Sequence, residues 1–170
     1  MRWFAEMAVL VFLGFLVVYG LKVWVAEPFL VPSGSMSPTL EPGDRILADK
    51  RSYRHAPPEP GDIIVFVDPG GSGADLVKRV VAGPGQTVSV RGNRLVVDGG
   101  EPLRDGRGLP VTPGDDPIAF PLVLASDEVF VVGDNPGSSV DSRSFGPVRR
   151  ALIGGRVIAL YWPPERAVRF

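Results

Sequence analysis

The chain of 170 residues has no cysteine, which excludes disulfides, thiolate zinc sites, haem attachment and a cysteine nucleophile. It has a single histidine, His55, so no multi-histidine metal site can be built. Any histidine-dependent mechanism must use that residue, which sits in the polar, proline-rich stretch His55-Ala56-Pro57-Pro58-Glu59-Pro60. Lysine is scarce as well, with only Lys22, Lys50 and Lys78. Neither sign of charge is in excess: 18 Lys and Arg against 19 Asp and Glu leave −1, with no basic face suited to nucleic acid. What is abundant is glycine and proline, 21 and 18 residues, a composition of short strands joined by turns. A hydrophobic content of 45% excludes general disorder.

One apolar run is long. Residues 7–21 are all apolar, glycine or tyrosine, and after Lys22 the run continues through Val23-Trp24-Val25-Ala26 until Pro28. With Trp3 and Phe4 in front, roughly 20 residues can cross a hydrocarbon core of ~30 Å. Lys22 can snorkel to the interface, and Trp3 and Trp24 suit the interfacial belts. A cleavable leader and a buried soluble helix are the alternatives. Against the first, Trp24-Val25-Ala26 has a bulky residue where a small one is required. Against the second, globular helices are seldom apolar all round. The expectation is an uncleaved single-pass anchor over residues 1–27. Charge counting does not settle its orientation.

Beyond Pro28 the hydrophobic runs are short, β-branched and bounded by Gly, Pro and Asp: 45–48, 63–67, 76–81, 87–90, 94–97, 128–132 and 156–161. Val96-Val97-Asp98-Gly99-Gly100 reads as a strand entering a hairpin turn. The predicted body, residues 28–170, is mainly β, with a loop-like region over 91–126.

Three clusters could carry chemistry. In Pro32-Ser33-Gly34-Ser35-Met36, Gly34 permits unusual backbone angles, so Ser35 could aim its hydroxyl and its own N–H at one point, with the Ser33 hydroxyl as a second oxyanion donor. Ser-Gly-Ser also occurs in ordinary linkers. A serine nucleophile needs a base, and a lysine can serve if burial lowers its pKa. Lys22 belongs to the apolar flank and Lys50 stands between Asp49 and Arg51; Lys78 alone lies inside an apolar run, Leu76-Val77-Lys78-Arg79-Val80-Val81. On a strand, Leu76, Lys78 and Val80 share one face while Arg79 on the other must find an acid. The third cluster, residues 133–146, holds Asp134, Asp141, Arg143 and several hydroxyls, and suits either a buttressing loop or a polar turn.

Taken jointly these segments resemble the type I signal peptidases, membrane-bound Ser/Lys proteases. Pro32-Ser33-Gly34-Ser35-Met36-Ser37-Pro38-Thr39-Leu40 is similar to that family's nucleophile box, Gly43-Asp44-Arg45-Ile46-Leu47 to the strand box after it, and Lys78-Arg79-Val80-Val81-Ala82-Gly83-Pro84-Gly85 to the lysine box. Gly133-Asp134-Asn135 and Ser139-Val140-Asp141-Ser142-Arg143 resemble the last box. The resemblance implies an antiparallel β fold behind one transmembrane helix, on the outer side of the cell membrane with the N-terminus in the cytoplasm. It implies cleavage of signal peptides after Ala-x-Ala, with Ser35 as nucleophile, Lys78 as general base, Ser33 and the Ser35 N–H at the oxyanion, and Ser139 orienting Lys78. Ion pairs Asp134–Arg79 and Asp141–Arg143 would stiffen the site. Phe29, Val31, Pro32, Met36, Leu40 and Val77 would line the pockets. Membrane lipid is an implied partner; no cofactor, metal or nucleic acid is implied. Pro136-Gly137 departs from the charged residues common there, and the short interval after Lys78 implies a reduced accessory region over 91–126. Other Ser/Lys proteases of the same fold, soluble self-cleaving repressors and organellar processing peptidases, and a tethered non-catalytic β domain remain as alternatives; the apolar run argues against the repressors, and lysine rather than histidine argues against the endoplasmic-reticulum branch.

Overall fold

The computed structural model describes residues 2–101, 103–104, 111–113 and 118–170, apart from the side chains of residues 2, 5, 17 and 21–24. Part of the predicted accessory region therefore lies outside the described residues. The first helix, α1 (Arg2–Trp24), has 23 residues, and its described side chains are exposed, including Phe4, Leu10, Val11 and Phe15. Its longest uninterrupted stretch of described side chains is residues 6–16. Among the described residues, no helix is long and apolar enough to cross a membrane. The expected transmembrane span thus gains no support from them.

The body is antiparallel β, as expected. Its strands are β1 (Ala26–Leu30), β2 (Arg45–Asp49), β3 (Ile63–Val67), β4 (Asp75–Ala82), β5 (Thr87–Arg91), β6 (Arg94–Val97), β7 (Leu122–Val123), β8 (Glu128–Val132), β9 (Val148–Arg149), β10 (Ile153–Trp162) and β11 (Val168–Arg169). Eight form one sheet, ordered β1-β2-β10-β3-β4-β8-β9 with β11 on β10; β6-β5-β7 form a second. The central strand β3 is buried at Ile63, Ile64, Val65 and Phe66. Its alternate side chains enter two different cores: Ile63 and Val65 join Val31, Met36 and Leu40, whereas Ile64 and Phe66 join Val80, Val129 and Val131. A strand covered on both faces reads as an unbroken apolar run, as this one does. A third core, around Val88, Leu95 and Phe130, lies between the two sheets.

Several elements differ from expectation. β1 includes Pro28, which cannot donate to a ladder and is tolerated because β1 is the sheet's edge. The hairpin precedes β6 rather than following it: Arg91 pairs with Arg94 across Gly92 and Asn93, both with positive φ. The later turn at Asp98 and Gly99 folds back to receive the Thr87 N–H on the Asp98 carboxylate.

β10 begins at Ile153, earlier than its apolar run, because Gly154 and Gly155 belong to the strand. A Cβ at Gly155 would lie 2.7 Å from the Asp49 carbonyl oxygen, a backbone atom that cannot move aside. Gly155→Ala is therefore expected to destabilise the domain by about 1–3 kcal/mol through overpacking, read as a lowered denaturation midpoint at unchanged slope. The paired control, Gly154→Ala, meets only the Val65 oxygen at 3.6 Å and should cost less.

Candidate active site

The site forms where three distant segments meet. Ser35 is held in a one-turn 3-10 helix, Gly34–Met36, just beyond β1. Lys78 is central in β4, and residues 133–135 leave the end of β8. β8 pairs with β4 only from Arg79 onward, so residues 75–78 have β3 on one side and no strand on the other. The segment 31–36 stands opposite that free edge and makes a cleft with it. Val31, Pro32 and Met36 form one wall, Asp75, Leu76 and Val77 the other, with Ser33, Ser35 and Lys78 between.

Lys78 Nζ and Ser35 Oγ are 2.9 Å apart, and Nζ also donates to the Val77 carbonyl at 3.0 Å. Both side chains are buried, with Lys78 only 3% exposed. Removal from water holds the Lys78 pKa below the ordinary 10.5, because the charged form loses its hydration; the Asp141 carboxylate acts weakly in the other direction. The pair can therefore pass a proton from hydroxyl to neutral amine. Ser33 Oγ lies 3.5 Å from Ser35 Oγ, at the limit of a hydrogen bond.

The expected ion pairs are present. Arg79 Nε and Nη2 hold the two Asp134 oxygens at 2.8 and 2.6 Å. Arg143 Nε reaches Asp141 Oδ1 at 2.8 Å, and both partners are buried. Ser139 differs from expectation. Its hydroxyl donates to Asp141 Oδ2 at 2.7 Å and makes no hydrogen bond with Lys78, whose own bonds go to Ser35 and Val77. Gly133 explains how these groups come so close: a Cβ there would collide with Ser139 Oγ and the Ser35 carbonyl oxygen.

Two predicted pocket residues are placed elsewhere. Leu40 is fully buried in the core with Ile46 and Leu160. Phe29 packs against that core and lines a separate groove with Pro28, Leu30, Arg45 and Tyr161. Their alternation with true wall residues in the same motif gives no means of separating them by sequence. His55 is exposed in a turn. Contacts that sequence reasoning missed include Asp75 and Leu76 in the cleft wall, and Thr39, whose hydroxyl donates to Asp134 at 2.5 Å. Arg166 likewise binds Asp44 and the Pro38 and Thr39 carbonyls, bracing the loop after Ser35. Nothing local marks these pairs, which are 95 and more residues apart. Among the described residues, no group of side chains could hold a metal ion.

Burial of Lys78 has a consequence for stability. The unfolded chain keeps its lysine proton up to the ordinary value of 10.5, while the folded chain releases it at lower pH. Between the two values the unfolded state carries more protons, so stability rises with pH across that window. Lys78→Met should remove this rise, flattening the profile of denaturation midpoints in the window below 10.5 and raising stability at its lower end. An unchanged slope in the variant would contradict a buried, readily deprotonated Lys78.

The signal peptidase, peptidase S26 family profile matches residues 4–162. The chain is 42% identical over 156 residues to a probable signal peptidase I-1 of Synechocystis sp., covering 86% of this chain and 76% of that protein. It is 38% identical over 155 residues to the signal peptidase I of Leptolyngbya laminosa, covering 86% and 74%. A signal peptidase I of Mycobacterium tuberculosis is 33% identical over an alignment of 215 positions, covering 95% of this chain and 73% of that protein. That alignment is longer than this chain, so the relative carries segments that this one lacks. Joined to an antiparallel sheet that presents a serine and a buried lysine in one cleft, these matches make the chain a member of the peptidase S26 signal peptidase family, and hence a hydrolase.

Proposed function

We propose that the protein is a membrane-anchored serine endopeptidase that removes N-terminal signal peptides from exported preproteins after small residues, Ala-x-Ala, with Ser35 as nucleophile and Lys78 as general base. The observation that carries this reading is the 2.9 Å contact between Ser35 Oγ and a buried Lys78 Nζ at the floor of an open cleft. An extended peptide adds to the free edge of β4 and lies opposite residues 31–33, its main chain held as a further strand. Met36, Val31 and Val77 occupy the space a large side chain would need, so the cleft favours small residues at the cleavage point.

In the first step neutral Lys78 takes the Ser35 hydroxyl proton while Oγ bonds to the scissile carbonyl carbon. The carbonyl oxygen becomes an oxyanion held by the Ser35 N–H and the Ser33 hydroxyl. Collapse breaks the C–N bond, and the Lys78 ammonium passes its proton to the leaving amine. Water, deprotonated by Lys78, then attacks the ester; the proton returns to Ser35 and the signal peptide leaves with a new carboxylate. Asp134, Arg79, Asp141, Arg143 and Ser139 keep the loops in place without touching substrate.

We assign α1 and the residues up to 27 as the anchor, with residues 28–170 as the extracytoplasmic body and 91–126 as a reduced accessory region. A 23-residue helix is about 35 Å long, enough for a hydrocarbon core of ~30 Å. Its exposed apolar side chains have no protein face to cover them among the described residues. β1 begins one residue beyond the helix and carries the chain from anchor to body, so Ser35 stays close to the bilayer surface where a signal peptide's cleavage point emerges.

The deciding experiment is cleavage of a purified preprotein bearing Ala-x-Ala, in detergent or lipid, by the wild type, Ser35→Ala and Lys78→Ala. Cleavage after the final Ala by the wild type alone is expected, with each variant slower by about a thousandfold or more. Equal cleavage by all three would refute the dyad. Because the neutral amine is the base, the rate should climb from acid toward mildly alkaline pH, with a midpoint below 10.5. A chemistry-limited rate that stays flat from about pH 5 to 9 would rule out lysine as base.

A further inference from the structure

We infer that Asn135 is the positioning residue of the oxyanion site: its side-chain amide fixes the Gly34–Ser35 peptide so that the Ser35 N–H faces the cleft. This rests on Ser35 being the nucleophile. Asn135 grips two consecutive carbonyls of the nucleophile turn. Its Nδ2 donates to the Gly34 oxygen at 3.1 Å, and its backbone N–H donates to the Ser35 oxygen at 3.0 Å. Gly34 offers only an acceptor there, so the amide must present its NH2 and not its oxygen.

The consequence follows from peptide geometry. The Gly34–Ser35 bond is not among the cis peptides, so the Gly34 C=O and the Ser35 N–H lie in one plane and point in opposite directions. Holding the carbonyl toward Asn135 therefore turns the Ser35 N–H away from it. Among the described residues no protein group accepts that N–H, which leaves it free for a substrate oxygen. The Ser37 N–H also binds the Gly34 oxygen, at 3.1 Å, closing the 3-10 turn. That bond lies within the turn itself and would be lost together with the orientation if the peptide flipped. Asn135 instead ties the plane to β8, outside the turn. The anchor matters because a peptide flanked by glycine rotates more freely than any other.

The expected signature separates ground state from transition state. The oxyanion exists only after attack, so Asn135→Ala should leave substrate binding alone and slow the chemistry. In the full-length protein in detergent, with the Ala-x-Ala preprotein as substrate, kcat should fall about ten- to a hundredfold with KM within about twofold. The acid limb of the pH–rate profile should not move, because Lys78 is untouched. An Ala-x-Ala peptide aldehyde, whose adduct with Ser35 places an oxygen where the oxyanion forms, should lose affinity in step with kcat. Asn135→Asp keeps the shape and the backbone bond to Ser35 while replacing the donor with an acceptor; it should be the slower variant, and it carries the test if the alanine variant unfolds. A kcat within about twofold of the wild type, a loss confined to KM, or an aldehyde affinity unchanged while kcat falls would each overturn the inference. So would a shifted acid limb in Asn135→Ala, which would place the effect on Lys78. If Ser35→Ala remains active, the underlying dyad reading fails instead; if Ser35→Ala is dead and both Asn135 variants are intact, only this inference does.

Discussion

The arrangement around Ser35 depends on keeping one amine out of water without giving it a counter-charge. Burial depresses the Lys78 pKa, yet Asp141 lies near enough to act on it in the opposite sense. A bare buried carboxylate at that position would hold the proton on the lysine and leave no base. Here the Asp141 charge is already taken. Arg143 binds both of its oxygens, the Gly133 N–H and Ser139 hydroxyl bind Oδ2, and the Arg143 N–H binds Oδ1. Arg143 pairs with that carboxylate, and desolvation stays the larger influence on Lys78.

The same strand solves a second problem with its next residue. Arg79 follows Lys78 on β4 and points the other way, where it would be an unpaired half-buried cation but for Asp134. Asp134 also receives the Thr39 hydroxyl, which lies four residues beyond Ser35. One carboxylate thus joins the strand of Lys78 to the loop of Ser35 through the side of β4 that faces away from the amine. Arg166 and Asp44 brace the far end of that loop. Asp134 also holds the Thr39 hydroxyl and Asp44 also holds the Glu41 N–H, so the charges fix distances rather than merely cancelling.

Much of the sheet was readable from the sequence because its strands are short, β-branched and bounded by Gly, Pro or Asp; β3, β6 and β8 fall where their apolar runs do. The exceptions share a cause: residue signals that stop a strand in isolation are tolerated by position in the sheet. Pro28 is harmless on the edge strand β1, and Gly155 is required where β10 passes the Asp49 carbonyl. The contact between Ser35 and Lys78 was legible because only one lysine lies in an apolar run. The cleft walls were less so. Leu40 and Met36 are both apolar and both buried, and only the fold separates a wall residue from a core residue. Ser139 was expected to meet Lys78 and meets Asp141 instead, a choice of partner that spacing does not encode.

The segments that make the site are far apart in sequence. Ser35 and Lys78 are 43 residues apart, and Asn135 and Gly34 are 101. In the unfolded chain Lys78 is an ordinary hydrated ammonium with nothing to deprotonate and no serine in reach. Its pKa falls only when β3, β4 and β8 have closed around it, and that closure also brings up Asp134, Gly133 and Asn135. The lowered pKa of Lys78 and its contact with Ser35 therefore appear together, as products of one cooperative event. A peptidase built on a histidine would keep a competent base in its unfolded state. A desolvated lysine acquires its lowered pKa only on folding, so an unfolded copy of the chain carries Ser35 and Lys78 without the contact between them.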